Sequence, residues 1–237
     1  LFALLGSVAG GPTVLAVVVT PVVVLAVLSA RRDAGRGALP RPRADDPGPA
    51  SGLQPGPELW ALLVLGLVPL AALAGVAGAA VALVAGAAAT ARFSPRGWGR
   101  PDVPSLLRVI APAVAGGALV LDARQGTELV TVLVIAVLLF DVANSVMGTG
   151  RTGGFLGAVS GSVTVLVFAV IVNALLEPPF TGSSSWVLCG LVGVMAPLGV
   201  GACGRLVRGR APAVRRLDSL VLAAPAWWLG VVVLLHR

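Results

Sequence analysis

The chain contains no lysine and no tyrosine, and its single histidine, His236, is the penultimate residue. Histidine is the side chain that most readily moves protons near neutral pH. One copy at the far end of the chain therefore argues against His-based acid–base catalysis. Cysteine is almost as scarce: Cys189 and Cys203 share one apolar stretch, and no CxxC or Cys/His cluster accompanies them. That pattern excludes a structural zinc site and reads as small apolar packing. Charge is the third shortage. Only 11% of the 237 residues are charged, 57% are hydrophobic and the mean hydropathy is +0.98, whereas a soluble domain carries about 25% charged residues. Such a surface suits lipid rather than water. Also lacking are a basic segment ahead of the first apolar stretch, which a secretory signal would need, and any repeat of fixed period.

What charge there is comes mostly from arginine. All 17 basic residues are Arg and the net charge is +7, a bias that, with the excess of Ala, Gly, Val and Pro, reads as codon pressure. In a soluble protein this balance would point to nucleic acid. Here the arginines stand between apolar stretches, where membrane topology and anionic lipid headgroups account for them, so nucleic acid is not expected as a partner.

A bilayer core about 30 Å thick needs roughly 17–20 helical residues. Apolar stretches of that length run 13–30, 105–121, 128–147, 154–176, 186–203 and 219–235. Residues 59–91 hold no charge for 33 positions, too long for one ordinary span. Cytoplasmic loops collect arginine, and both flanks of this stretch do so, with Arg31, Arg32, Arg36, Arg41 and Arg43 before it and Arg92, Arg96, Arg100 and Arg108 after it. Residues 59–91 are therefore expected to cross twice, turning near Gly75 and Gly78. The resulting expectation is an all-α polytopic bundle of about eight transmembrane helices, within a range of seven to nine, forming one membrane domain over 1–237. It places 15 of the 17 arginines on one side, all but Arg124 and Arg237. Asp122–Gly126 and "EPPFTGSSS" (177–185) fall in outer loops, and the Pro/Gly/Arg-rich segment 31–57 is a flexible cytoplasmic loop. The protein is expected in a bacterial-type cell membrane with its arginine-rich loops cytoplasmic.

Three places carry polar chemistry. The only acid well inside a span is Asp141, in "LLFDVANSVMGTG". Burying it costs roughly 2.5–3.5 kcal/mol on insertion scales, so it asks for a reason. Asn144, Ser145 and Gly148 follow at i+3, i+4 and i+7, on the same broad face of a helix. Such a stripe can hold a cation or a polar headgroup, or form an interhelical hydrogen-bond network in which Asn173 is a candidate partner. The glycine-rich "GTGRTGGFLGAVSGS" (148–162), which includes Gly154, enters the next helix; its amides can receive phosphate, or its glycines can serve close packing. The third place is "GRLVRGRAPAVRRLDS", where Arg205, Arg208, Arg210, Arg215 and Arg216 form a basic surface suited to phosphate or to anionic lipid. Asp218 there can cap the last helix.

In order, these pieces resemble the bacterial phosphatidate cytidylyltransferases, the CDP-diacylglycerol synthases. "GGPTVLAVVVTPVVVLAVL" (10–28) is similar to that family's early Gly-Gly-Pro span. "LVIAVLLFDVANSVMG" resembles its span ending D-T-G-A-Y-x-x-G, with Asp141 and Gly148 at the same separation. "GGFLGAVSG" resembles E-G-F-x-G, "APLGVGACGRLVRG" resembles L-G-D-x-x-E-S-x-x-K-R, and "RRLDS" resembles D-R-x-D-S. The resemblance implies transfer of CMP from CTP to phosphatidate with release of pyrophosphate. It implies Mg²⁺ on membrane carboxylates, with Asp141 and Asp218 as metal-binding catalytic residues. It also implies that Asn144, Ser145, Gly148, Gly154, Arg205, Arg208, Arg215 and Arg216 surround the phosphates.

The departures fall on the acids. Val200 and Cys203 stand where the family has Asp and Glu, Val207 where it has Lys, Arg215 where it has the first Asp, and Ser145 where it has Tyr. Two carboxylates can still hold a hard divalent ion together with substrate phosphate, but Arg215 repels a cation and attracts phosphate. The expectation is a diverged member with impaired or lost activity. The alternative is a non-catalytic membrane protein on the same scaffold that binds an anionic lipid or a partner, a homodimer included. A transporter reading rests on Asp141 and Asn173 alone.

Overall fold

The computed structural model describes residues 11–27, 57–92, 103–148, 153–176, 179–180, 182–206 and 218–235. The described residues are helical, with no strand among them. In chain order the helices are α1 (Gly11–Val27), α2 (Pro57–Gly66), α3 (Val68–Ala71), α4 (Val76–Arg92), α5 (Val103–Gln125), α6 (Thr127–Met147), α7 (Gly153–Leu175), α8 (Ser184–Leu206) and α9 (Asp218–Leu235). A 3₁₀ turn, Ala72–Ala74, follows α3.

Four of these helices are long and apolar enough to cross a membrane: α6, α9, and most of α7 and α8 as Gly154–Leu175 and Ser184–Ala202. Two others, α1 and α4, are apolar but shorter. The fold is that of a helical integral membrane protein in which, among the described residues, four helices meet the length and hydropathy that crossing requires, short of the eight expected. The expected loop at 31–57 lies outside the described residues, except Pro57, which opens α2.

The long uncharged stretch does turn where its glycines lie. Pro69 has no N–H to continue the ladder from α2, and the helix is interrupted at Leu67. Gly75 then takes φ +98, a left-handed conformation open to glycine at little cost. Its amide donates to the Ala72 carbonyl at 2.9 Å. Beyond the turn α4 runs back along α2, so that Gly86 lies directly against Leu65. Arg124, at the end of α5, reaches over this turn and donates from Nη1 to the same Ala72 carbonyl at 3.4 Å.

The α5–α6 connection differs from expectation. Asp122–Gln125 is the last turn of α5 rather than a loop, and Gly126 alone joins the two helices. Asp122 is fully buried, and neither of its carboxylate oxygens has a hydrogen-bond partner among the described residues. Two charges and a glycine in five residues look like a loop in sequence. The structure instead turns back on one glycine and keeps the acid inside.

One apolar core runs through the bundle, with Leu15, Leu65, Leu133, Phe140, Leu188 and Trp227 among its members. The apolar exterior does not penalise a lipid-facing helix, so association depends on close fit. Glycines supply it: Gly116 meets Val19, Val23 and Pro69, Gly161 meets Phe140, and Gly230 meets Leu188. Cys189 is buried and unpaired, in keeping with a packing role. Trp227, within the last helix, is buried against Phe180, with ring centroids 6.3 Å apart. The segment after α7 thus folds back onto α9.

Candidate functional site

One hydrogen bond between side chains of different helices lies at the end of the bundle where α6 finishes and α9 begins. Asp141 is half-buried on α6, six residues before that helix ends. Ser219, the second residue of α9, is 2% exposed and donates from Oγ to Asp141 Oδ2 at 3.0 Å. Beside it Asp218 opens α9 and is 7% exposed. A carboxylate in the first turn complements the positive end of the helix, so its place there needs no ligand. The Asp141–Ser219 bond nonetheless ties the acid of one helix to the residue adjoining the acid of another.

The third wall is α8. Gly199 packs so closely on the Asp218 main-chain oxygen that any Cβ would collide with it, and the Ser219 carbonyl is also close. The fourth is α7. Gly157 lies against the side-chain and main-chain oxygens of Asn144, and a Cβ there would also sit 3.0 Å from Gly148 Cα. Asn144 and Gly148 are linked as well, by the Gly148 amide donating to the Asn144 carbonyl at 2.8 Å as α6 ends. Higher up, the Ser162 hydroxyl lies within hydrogen-bond reach of the Gly193 carbonyl and joins α7 to α8.

The polar stripe expected on α6 is thus divided. Asp141 turns to α9 and Asn144 to α7, while Ser145 is exposed and donates to the Val142 carbonyl of its own helix at 2.8 Å. Ser145 takes no part in the convergence. Gly154 is exposed with open space around it, so Gly157 is the packed member of that glycine-rich run. The candidate link between Asp141 and Asn173 is not formed: Asn173 Oδ1 accepts from Ser185 at 3.2 Å, and Asp141 accepts from Ser219. Asn173 lies at the end of α7 where the chain turns toward α8, far along the bundle from Asp141. Arg208, Arg215 and Arg216 lie outside the described residues, as does the side chain of Arg205, which is on the last turn of α8.

Ser219, Gly199 and Gly157 are the members of this site that sequence reasoning did not single out. Each lies inside a motif already quoted, one or more positions from the residue that drew notice. Among the described residues no three His, Cys, Asp or Glu side chains lie together. One oxygen of Asp141 is engaged by Ser219, and Asp218 is buried beneath a tight backbone contact. Mg²⁺ demands near-octahedral oxygen ligation and is slow to shed water, so these residues do not make a fitting cage.

Compared with models of known protein families, with curated proteins and with solved structures, the chain matches none.

Proposed function

We propose that the chain is a diverged relative of the bacterial phosphatidate cytidylyltransferases whose transferase chemistry is impaired or lost. On this reading it is an eight-span protein of the cell membrane that holds the phosphate headgroup of phosphatidate at its arginine-rich cytoplasmic end. The observation that carries the reading is the Ser219–Asp141 hydrogen bond, because it joins the stretch resembling D-T-G-A-Y-x-x-G to the stretch resembling D-R-x-D-S. Support also comes from Gly199 and Gly157, which bring two of the other three quoted motifs to the same end. The hairpin about Gly75 and the 23-residue α5 favour the higher span count. Loss of chemistry is favoured by the poor fit of the described acids to Mg²⁺. Phosphate binding is favoured by the five arginines between Arg205 and Arg216, since guanidinium groups pair with phosphate in a two-pronged geometry.

The test uses purified protein in detergent with labelled CTP, Mg²⁺ and phosphatidate, alongside Asp218→Asn. The expected outcome is no CDP-diacylglycerol above that control. Phosphatidate-containing vesicles should still be bound, less so at high salt and after Arg215/Arg216→Ala. Turnover that Asp218→Asn abolishes would restore the enzyme reading. Binding that ignores salt, or no binding, would remove the lipid reading.

A further inference from the structure

At the opposite end of α6 from Asp141 lies a groove between α6 and α7 of about 480 Å³. Thr127 and Glu128 stand at its mouth, and Thr131, Ile135, Phe168 and Ile171 are among its walls. From Glu128 to Ile135 is seven residues, or about 10 Å along a helix. The space is therefore a slot beneath a carboxylate. Its walls offer few polar partners: the Thr131 hydroxyl is already committed to the Thr127 carbonyl at 2.7 Å. A peptide in it would leave its own amides unsatisfied within the apolar layer, whereas a hydrocarbon chain loses nothing.

The mouth adds a charge requirement. Glu128 is exposed, and no described residue gives its carboxylate a hydrogen bond or an ion pair. The nearest cation in sequence, Arg124, is turned toward the Gly75 turn, where it donates to the Ala72 carbonyl. We propose that this groove binds a phospholipid bearing a primary-ammonium headgroup, its acyl chain along the α6–α7 slot and its ammonium on Glu128. A primary ammonium carries three N–H donors for the carboxylate and for Thr127 at the mouth. A quaternary ammonium carries none and leaves only the charge attraction. The inference is independent of the phosphatidate reading, since it concerns the other end of the bundle and a ligand of different charge.

The experiment measures lipid retention on the purified chain in neutral detergent by native mass spectrometry. The probes are dioleoyl phosphatidylethanolamine, its N-methyl and N,N-dimethyl forms, and dioleoyl phosphatidylcholine. Retention should fall stepwise along the series, with about three- to fivefold between its ends, the scale of an exposed ion pair. Glu128→Gln should bring the ratio to about one, and Ile171→Trp, which fills the slot, should lower retention of every member. Equal retention across the series by the unaltered chain overturns the proposal, as does a preference that survives Glu128→Gln. Glu128 also complements the start of α6; a change of melting temperature alone, with the ratio intact, assigns it to that role and removes the proposal. The methylation series needs no substitution and so decides the matter even where a variant fails to fold.

Discussion

The bond between Ser219 and Asp141 is the most direct place to test how the bundle is assembled. Ser219→Ala removes one oxygen from a position that is 2% exposed and leaves little cavity. Its energetic effect is therefore dominated by the hydrogen bond at 3.0 Å. Hydrogen bonds to charged groups contribute about 1.5–3 kcal/mol in soluble proteins. Measured interhelical bonds in membranes average about 0.6 kcal/mol, with a maximum near 1.7. Asp141 is only half-buried, and a coupling of about 1 kcal/mol is expected between these limits. The assay is a double-mutant cycle, Ser219→Ala and Asp141→Ala singly and together, read as unfolding in mixed micelles titrated with a denaturing detergent. A cycle is needed because each single change also alters the local solvation of a helix end. A coupling energy within about 0.3 kcal/mol of zero would refute the view that α6 and α9 are joined through these two side chains.

Two further substitutions probe the same packing. Gly199→Ala drives a methyl into the main-chain oxygen of Asp218, and backbone cannot step aside as a flexible side chain can. A loss of about 1–3 kcal/mol is expected, seen as a lower unfolding midpoint, while Gly190→Ala on the same helix meets open space and should not lower it. Trp227→Phe should cost about 1 kcal/mol or less, because the indole Nε1 is buried with no hydrogen-bond partner among the described residues and the ring contact with Phe180 is retained; Trp227→Ala should cost about 3–5 kcal/mol. A loss on Trp227→Phe as large as that on Trp227→Ala would mean that Nε1 has a partner.

The helices that could be placed from sequence were those whose ends carry their own signals. Gly126, Gly148, the "GSSS" before α8 and Asp218 at the head of α9 all fall within a residue or two of an observed boundary. The Gly75 turn belongs with them, because arginines on both flanks demanded a reversal that a glycine could supply. Asp122 did not, since burial depends on what packs over a charge and not on the charge's neighbours in the chain. The α6 stripe fails for a different reason. At 3.6 residues per turn, positions i+3 and i+4 lie about 100° apart around the axis. A stripe that looks continuous on paper can therefore serve two neighbouring helices and leave a third residue outside. Pairing across helices is harder still. Asp141 and Ser219 are 78 positions apart, and whether they meet depends on how deep the first turn of α9 sits. Gly199 settles that depth by giving the Asp218 backbone room to lie against α8. With a larger residue at 199, Ser219 would be displaced from Asp141, and the same pair of motifs would have no contact to report.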